Sequence, residues 1–169
     1  MKLHLGCGND YKEGWVNVDF INEVKADVYH DLNKFPYPFI DDSVDYLLMD
    51  NVLEHLPETI KVMEEIHRIS KPGATIEIIV PLAPTMFAFR DPTHVKFFTY
   101  RSMDYFTEED GLNFYSKARF KIKERKIIFH HKIRFLNGII NSNELLRKFI
   151  CEFMSQLMPP TLISFKLKS

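Results

Sequence analysis

Cysteine is nearly absent from this 169-residue chain: only Cys7 and Cys151 occur, with no framework spacing and no metal motif around them. That excludes a disulfide-stapled scaffold and points to a reducing compartment. No cationic start leads into an apolar core at the N-terminus, so no secretory signal is expected. No apolar run approaches the roughly 18 residues that a membrane span needs. Together these absences make a cytoplasmic protein the expectation. His130-His131 has no metal-ligand spacing, and no bound metal is expected. Repeats and low-complexity tracts are missing too, and the length suits one domain over residues 1–169.

Charge of one sign is also lacking, since the formal net charge is −1. A balanced total offers no broad nucleic-acid footprint, and no DNA partner is expected. The distribution is uneven all the same: residues 1–65 carry −9, residues 66–116 carry −1 and residues 117–169 carry +9. The acidic part is the expected ligand side, while the basic third faces solvent or an anionic acceptor.

Glycine is scarce, with six in all, which makes the pair in Leu3-His4-Leu5-Gly6-Cys7-Gly8 conspicuous. Leu3 and Leu5 alternate with polar neighbours as in a short strand, and Gly6-Cys7-Gly8 is the turn that leaves it. Glycine there permits positive φ and lets a ligand approach bare backbone. A strand followed by Gly-x-Gly opens a doubly wound α/β domain, with the ligand over the carboxyl ends of the strands; a plain tight turn is the alternative. A dinucleotide site wants a third glycine three residues on, where Tyr11 stands. The spacing disfavours a pyrophosphate, and with it a nicotinamide-dependent reductase.

The segment 9–14 is short and turn-like, leaving little room for a first helix. Trp15-Val16-Asn17-Val18-Asp19 then reads as a strand ending in a carboxylate. An acid in that place accepts from the two ribose hydroxyls of a nucleoside, or is simply solvated. Residues 26–32 read as a third strand, after which Asp31 either meets an adenine amino group, with Leu32 covering the ring, or makes a turn. Phe35-Pro36-Tyr37-Pro38-Phe39 is a packed loop. Residues 43–50 form a buried strand, residues 58–70 a helix and residues 75–80 a fifth strand, the alternation expected of a parallel sheet.

Residues 82–115 are loosely patterned and are assigned to an acceptor-side loop or cap, because long irregular segments in compact domains are often functional. Residues 101–106 fit a short helix. Residues 117–129 read as a strand with Arg119, Lys121, Lys123 and Arg125 on one face, most simply a solvated one. Glu124 breaks its alternation at a bulge or bend. Residues 143–157 read as a helix with an apolar stripe of Leu145, Leu146, Phe149, Ile150, Phe153 and Leu157. That stripe docks on the sheet or on a partner, a homodimer through this helix included, rather than on a membrane. Residues 162–167 form the last strand.

Taken in order, Leu3-His4-Leu5-Gly6-Cys7-Gly8, Gly14-Trp15-Val16-Asn17-Val18-Asp19, Val52-Leu53-Glu54-His55-Leu56 and His67-Arg68-Ile69-Ser70-Lys71-Pro72-Gly73 resemble the class I S-adenosylmethionine-dependent methyltransferases. Asp91-Pro92-Thr93-His94-Val95 is similar to a stretch in methyltransferases of glycan-modification clusters. The resemblance covers residues 2–106 well and weakens beyond. It implies a Rossmann-like, doubly wound, mostly parallel seven-stranded sheet of order 3-2-1-4-5-7-6, here with its first helix shortened or missing. It also implies S-adenosyl-L-methionine as cofactor and S-adenosyl-L-homocysteine as product.

The residues then expected around the cofactor are Leu5, Gly6, Cys7, Gly8, Asp19, Phe20, Asp31, Leu32, Asp50, Asn51 and His55, although His55 also fits a role in tying down the start of its helix. His94 is the candidate general base for an oxygen acceptor, with Asp91 as orienter or second base; a structural hydrogen-bonding role is its alternative. Asp50-Asn51-Val52-Leu53 stands where enzymes of base-amino methylation carry Asn-Pro-Pro-Tyr, which leaves a small-molecule or sugar hydroxyl as the expected acceptor. A catalytically silent cofactor-binding or assembly domain of the same fold is the competing reading.

Overall fold

A computed structural model describes residues 1–108, 111, 113–129, 133–154 and 160–169. Seven strands form one sheet: β1 (Lys2–Leu5), β2 (Val16–Asp19), β3 (Val28–Tyr29), β4 (Val44–Asp50), β5 (Ser70–Pro81), β6 (Lys121–Ile128) and β7 (Leu162–Lys168). Their order is β3-β2-β1-β4-β5-β7-β6. The first five run parallel, and β7 lies antiparallel between β5 and β6. This is the order implied by the resemblance. The third strand is shorter than residues 26–32.

Apolar alternation explains the layers. Leu3, Leu5, Val18, Leu47, Met49, Ile76 and Ile78 are buried in the main core, with Val62, Met63, Ile66 and Ile69 of helix α1 (Thr59–Ile69). The opposite face buries His4 and Asn17, with Trp15 packed edge-on against His4 and Tyr46. No helix separates β1 from β2: residues 6–15 are turns, as their length demanded.

Three expectations change in detail. The predicted bulge is present, as a register shift between Ile122 and Glu124, and it flips the strand's parity so that Ile127 is buried and Arg125 turns partly inward to pair with Asp104. The short helix expected over 101–106 is a 3-10 turn, Ser102–Phe106, and two further short helices occur, α2 (Met86–Phe89) after β5 and α3 (Leu136–Asn141) after β6. The helix expected over 143–157 is α4 (Glu144–Phe149), capped by the Asn143 side chain and continued by a π-helical turn over Ile150–Met154. Its stripe divides: Ile150 is buried and Leu146 packs on the core, whereas Leu145, Phe149 and Phe153 are exposed. Leu157 and His130-His131 lie outside the described residues. Among those residues, no helix is long and apolar enough to cross a membrane.

The Pro-rich loop over 35–39 is held by α1. Arg68 donates to both Glu65 oxygens and to the carbonyls of Tyr37 and Phe39, and Glu65 also accepts from the Tyr37 amide at 2.7 Å. The Arg68 side chain holds the Glu65 carboxyl below its usual range. A depressed carboxyl stabilises the fold above its unfolded pKa, near 4.3, and loses that contribution as pH falls through the folded value. Arg68→Ala is therefore expected to lower stability at pH 7 by about 1–2 kcal/mol and to flatten the loss of stability below pH ~4. Urea unfolding across pH measures both.

Candidate active site

The carboxyl ends of β1, β2 and β4 open on a crevice of about 380 Å³, within the range of small-ligand pockets. Its wall includes Gly6, Asp19, Phe20, Asp31, Leu32, Asn51 and His55, seven of the eleven residues expected there. Leu5 and Cys7 are instead buried behind it, and Cys7 is pinned by its amide to the Val18 carbonyl and by its thiol to that of Lys25. Gly8 and Asp50 lie outside the wall; the Asp50 carboxylate accepts from the Asn51 side chain at 2.7 Å. Ile21, His30, Asn33, Val52 and Leu56 complete the wall. Val52 and Leu56 belong to the motif after the fourth strand, whereas the sequence marked Ile21, His30 and Asn33 only as neighbours of candidate residues.

Asp19 organises the entrance. Its carboxylate accepts from the Gly8 amide at 2.8 Å and from the Ile21 amide at 3.0 Å, so one side chain ties the glycine turn to the end of β2. Each oxygen keeps a second lone pair for a ligand hydroxyl. Asp31 takes the turn role: its Oδ1 accepts from the amide and side chain of Asn33, which lowers its pKa. It lines the crevice as well, with its other oxygen unspent on Asn33.

Gly6 is needed by the protein before any ligand arrives. Its φ is +67°, and a Cβ there would lie 2.4 Å from Val52 Cγ2. Asn51, also at positive φ, turns the chain after β4 and brings Val52 against this glycine.

Residues 91–96 dock on the turn that follows β4, next to His55 of the crevice wall. The amides of Val95 and Lys96 both donate to the backbone carbonyl of Glu54, at 2.9 and 3.0 Å. This docking brings His94 onto the Glu54 side chain and edge-on to His55, with ring centroids 4.8 Å apart. His94 Nδ1 lies 2.8 Å from the Ala88 carbonyl, which accepts its proton and leaves Nε2 as the lone pair. That Nε2 is 3.9 Å from Glu54 Oε1 and 3.9 Å from Asp91 Oδ2. The ring is thus oriented by a carbonyl. Asp91 spends its other oxygen on the Thr93 amide and hydroxyl. His55, not His94, reaches the crevice wall.

Glu54 is the residue that sequence reasoning missed. It is 1% exposed, and neither carboxylate oxygen has a hydrogen-bond partner. Burial pushes its carboxyl up to about 7, against the pull of its own amide dipole and of His94. In the sequence it looked like one polar position in Val52-Leu53-Glu54-His55-Leu56; nothing local revealed that His94 would meet it. Glu54, His55 and His94 each bring one ligand atom within 4.8 Å of the other two.

Gly6→Ala is expected to cost more stability than Gly8→Ala, although both have positive φ. The strain common to both is about 1–3 kcal/mol; only Gly6 adds the collision with Val52, because a Cβ on Gly8 meets open space. Paired urea titrations give the difference.

A family model described as a methyltransferase domain matches residues 7–78. Demethylmenaquinone methyltransferase of Geobacillus stearothermophilus is 33% identical over 88 residues, covering 49% of this chain and 37% of the relative. The chain thus spans between a quarter and little more than a third of the length of the curated relatives it matches. Among solved structures, an S-adenosylmethionine-dependent methyltransferase from Archaeoglobus fulgidus aligns with TM-score 0.66 at 18% identity, over 99% of this chain and 85% of that one. A chain from the complex of the Haloferax volcanii Trm112 methyltransferase activator with a methyltransferase aligns at 0.62 and 15%, over 98% and 80%. The sheet order and these alignments give the chain the Rossmann-like fold of the class I S-adenosylmethionine-dependent methyltransferases, and residues 7–78, somewhat less than half of it, are similar to a methyltransferase domain.

Proposed function

We propose that the protein moves a methyl group from S-adenosyl-L-methionine to a hydroxyl of a small molecule or sugar. The observation that carries this reading is the Asp19 carboxylate, held at the crevice mouth by two backbone amides with lone pairs to spare. The residues present suit the cofactor. Asp19 would hold the ribose hydroxyls, Leu32 and the exposed Phe20 would offer apolar surface to the adenine beside Asp31, and Asn51 would lie toward the methionine end, all of them lining one crevice. When bound, the cofactor supplies an electrophilic methyl on a sulfonium.

Everything else falls to the chain's own groups. Transfer needs nucleophile, methyl carbon and sulfur in line, so positioning supplies much of the acceleration. A hydroxyl must also lose its proton. His55 at the crevice wall, with the lone pair of His94 and the Glu54 carboxylate behind it, is the set of groups able to manage that proton. The fit favours an acceptor entering between Asn51 and the segment 91–96, which is clamped to Glu54.

Asp19→Ala is expected to abolish measurable cofactor binding in calorimetric titration with S-adenosyl-L-methionine and S-adenosyl-L-homocysteine. Because it orphans two amides, it should also lower stability by about 1–3 kcal/mol; unchanged affinity in a folded variant would remove the ribose assignment. His94→Ala should cut methyl release to hydroxyl acceptors by roughly 10²–10⁴-fold with cofactor affinity nearly unaltered. Tight cofactor binding with no methyl release to any sugar, phenol or alcohol would favour the silent-domain reading.

A further inference from the structure

Three features of the Glu54 cluster do not follow from a methyl-transfer site as such. The carboxylate is 1% exposed with both oxygens unpartnered. The Ala88 carbonyl takes the Nδ1 proton of His94, so that the Nε2 lone pair faces that carboxylate at 3.9 Å, too far for a hydrogen bond. His55 repeats the pattern: its Nδ1 lies 3.0 Å from the Thr93 hydroxyl, whose own proton goes to Asp91 Oδ1 at 2.7 Å, so His55 donates from Nδ1 and keeps Nε2 free. Neither imidazole hydrogen-bonds the Glu54 carboxylate, yet each of the three residues brings a ligand atom within 4.8 Å of the other two.

We infer that Glu54, His55 and His94 form the seat of one first-row divalent cation, which holds the acceptor's oxygen beside the cofactor crevice. Ligand atoms on one such ion, each at about 2.0–2.2 Å, stand roughly 3–4 Å apart. The Glu54–His94 separation already fits, and the whole set, within 4.8 Å, closes with a small contraction. Imidazole with carboxylate suits zinc, iron, cobalt or manganese rather than magnesium or calcium. Outer partners are in place for both rings, the Ala88 carbonyl for His94 and the Thr93–Asp91 pair for His55, which is how ligating histidines are oriented. Sequence spacing could not show this site, because its halves meet only when the amides of Val95 and Lys96 dock on Glu54.

Three protein ligands leave positions open for the acceptor. A hydroxyl bound there loses its proton to solvent more readily; the oxygen then forms the O–CH3 bond as the S–CH3 bond breaks, and S-adenosyl-L-homocysteine leaves with the electron pair on sulfur. This role rests on the methyl-transfer reading, whereas cation binding itself does not.

The test uses the full chain, stripped with a chelator and titrated with Co²⁺ in the absence of cofactor. One site with visible d–d bands, displaced by Zn²⁺, is expected, and Glu54→Gln and His94→Ala should each weaken it more than about tenfold. Circular dichroism confirms that both variants are folded, and Glu58→Gln, an exposed carboxylate paired with Lys61 outside the cluster, should retain the site. No saturable binding, or equal binding in both ligand variants, overturns the proposal. If Co²⁺ binds as described but methyl release to a hydroxyl acceptor is indifferent to chelation, the acceptor-holding role falls. Cofactor binding lost in Asp19→Ala and kept in Glu54→Gln is expected; cofactor binding unchanged in Asp19→Ala, with Co²⁺ binding still lost in Glu54→Gln, would overturn the methyl-transfer reading and leave the cation site standing.

Discussion

The Asp19 carboxylate is the constraint on which the ligand side of this molecule depends. It bridges the Gly8 amide and the Ile21 amide, and so joins the exits of β1 and β2, two of the strands whose carboxyl ends form the crevice. In a doubly wound fold a helix after the first strand normally holds that turn in place. Here residues 6–15 contain no helix, and side chains replace it. Asn17, fully buried, accepts from the Lys12 amide and donates to the carbonyls of Lys12 and Trp15 and to Asp27, while its own amide also donates to Asp27. One amide side chain satisfies backbone groups that a helix would have satisfied internally. The shortened crossover is thus stable without exposing the glycine turn.

How far the sequence foretold this depends on the range of each interaction. Strands β1, β2, β4, β5 and β7 and helix α1 were legible because burial imposes its period on adjacent residues. The bulge near Glu124 was legible for the same reason: it interrupts a period. Gly6 and Asp19 were placed in the crevice because strand ends meet there whatever the loops do, and Asn51 and His55 by the family resemblance. What the sequence hid are contacts between distant loops. Gly6 reads as ligand-facing, yet its nearest obligation is to Val52. His94 reads as a base paired with Asp91, yet a carbonyl orients it and Glu54 faces it. Local pattern carries no information about which backbone carbonyl will capture the amides of residues 95 and 96.

The C-terminal third shows the same limit from the other side. Its positive charge suggested a surface for an anionic acceptor, and a groove of about 720 Å³ does lie there, lined by Arg101, Lys121, Lys123, Arg125 and Lys168 among others. The structure spends much of that charge internally. Asp104 takes both Arg125 and Arg101, Glu124 takes Lys126 and Lys166, and Lys168 donates to the Gly73 carbonyl and the Thr75 hydroxyl. Lysines paired this way on a sheet edge also deter strand addition from another chain. A solvated, self-paired edge explains the composition without a ligand.

The contrast between these two charged regions decides where chemistry resides. On the β6–β7 edge, ions are exposed or paired, so each is close to its energy minimum and has little to gain from a ligand. At Glu54 a carboxylate is removed from water with nothing on either oxygen, a loss of several kcal/mol unless the charge is neutralised or matched. A fold tolerates that cost only where surrounding contacts impose it, and here they do: the Glu54 carbonyl accepts the amides of Val95 and Lys96 and so packs residues 91–96 over its own side chain. Docking the segment and stranding the carboxylate are one event, and its product is a polar, unsatisfied pocket adjoining the crevice. A proton would neutralise it and could serve one imidazole at most, whereas a cation can engage the carboxylate and both imidazoles, whose ligand atoms lie within 4.8 Å of one another.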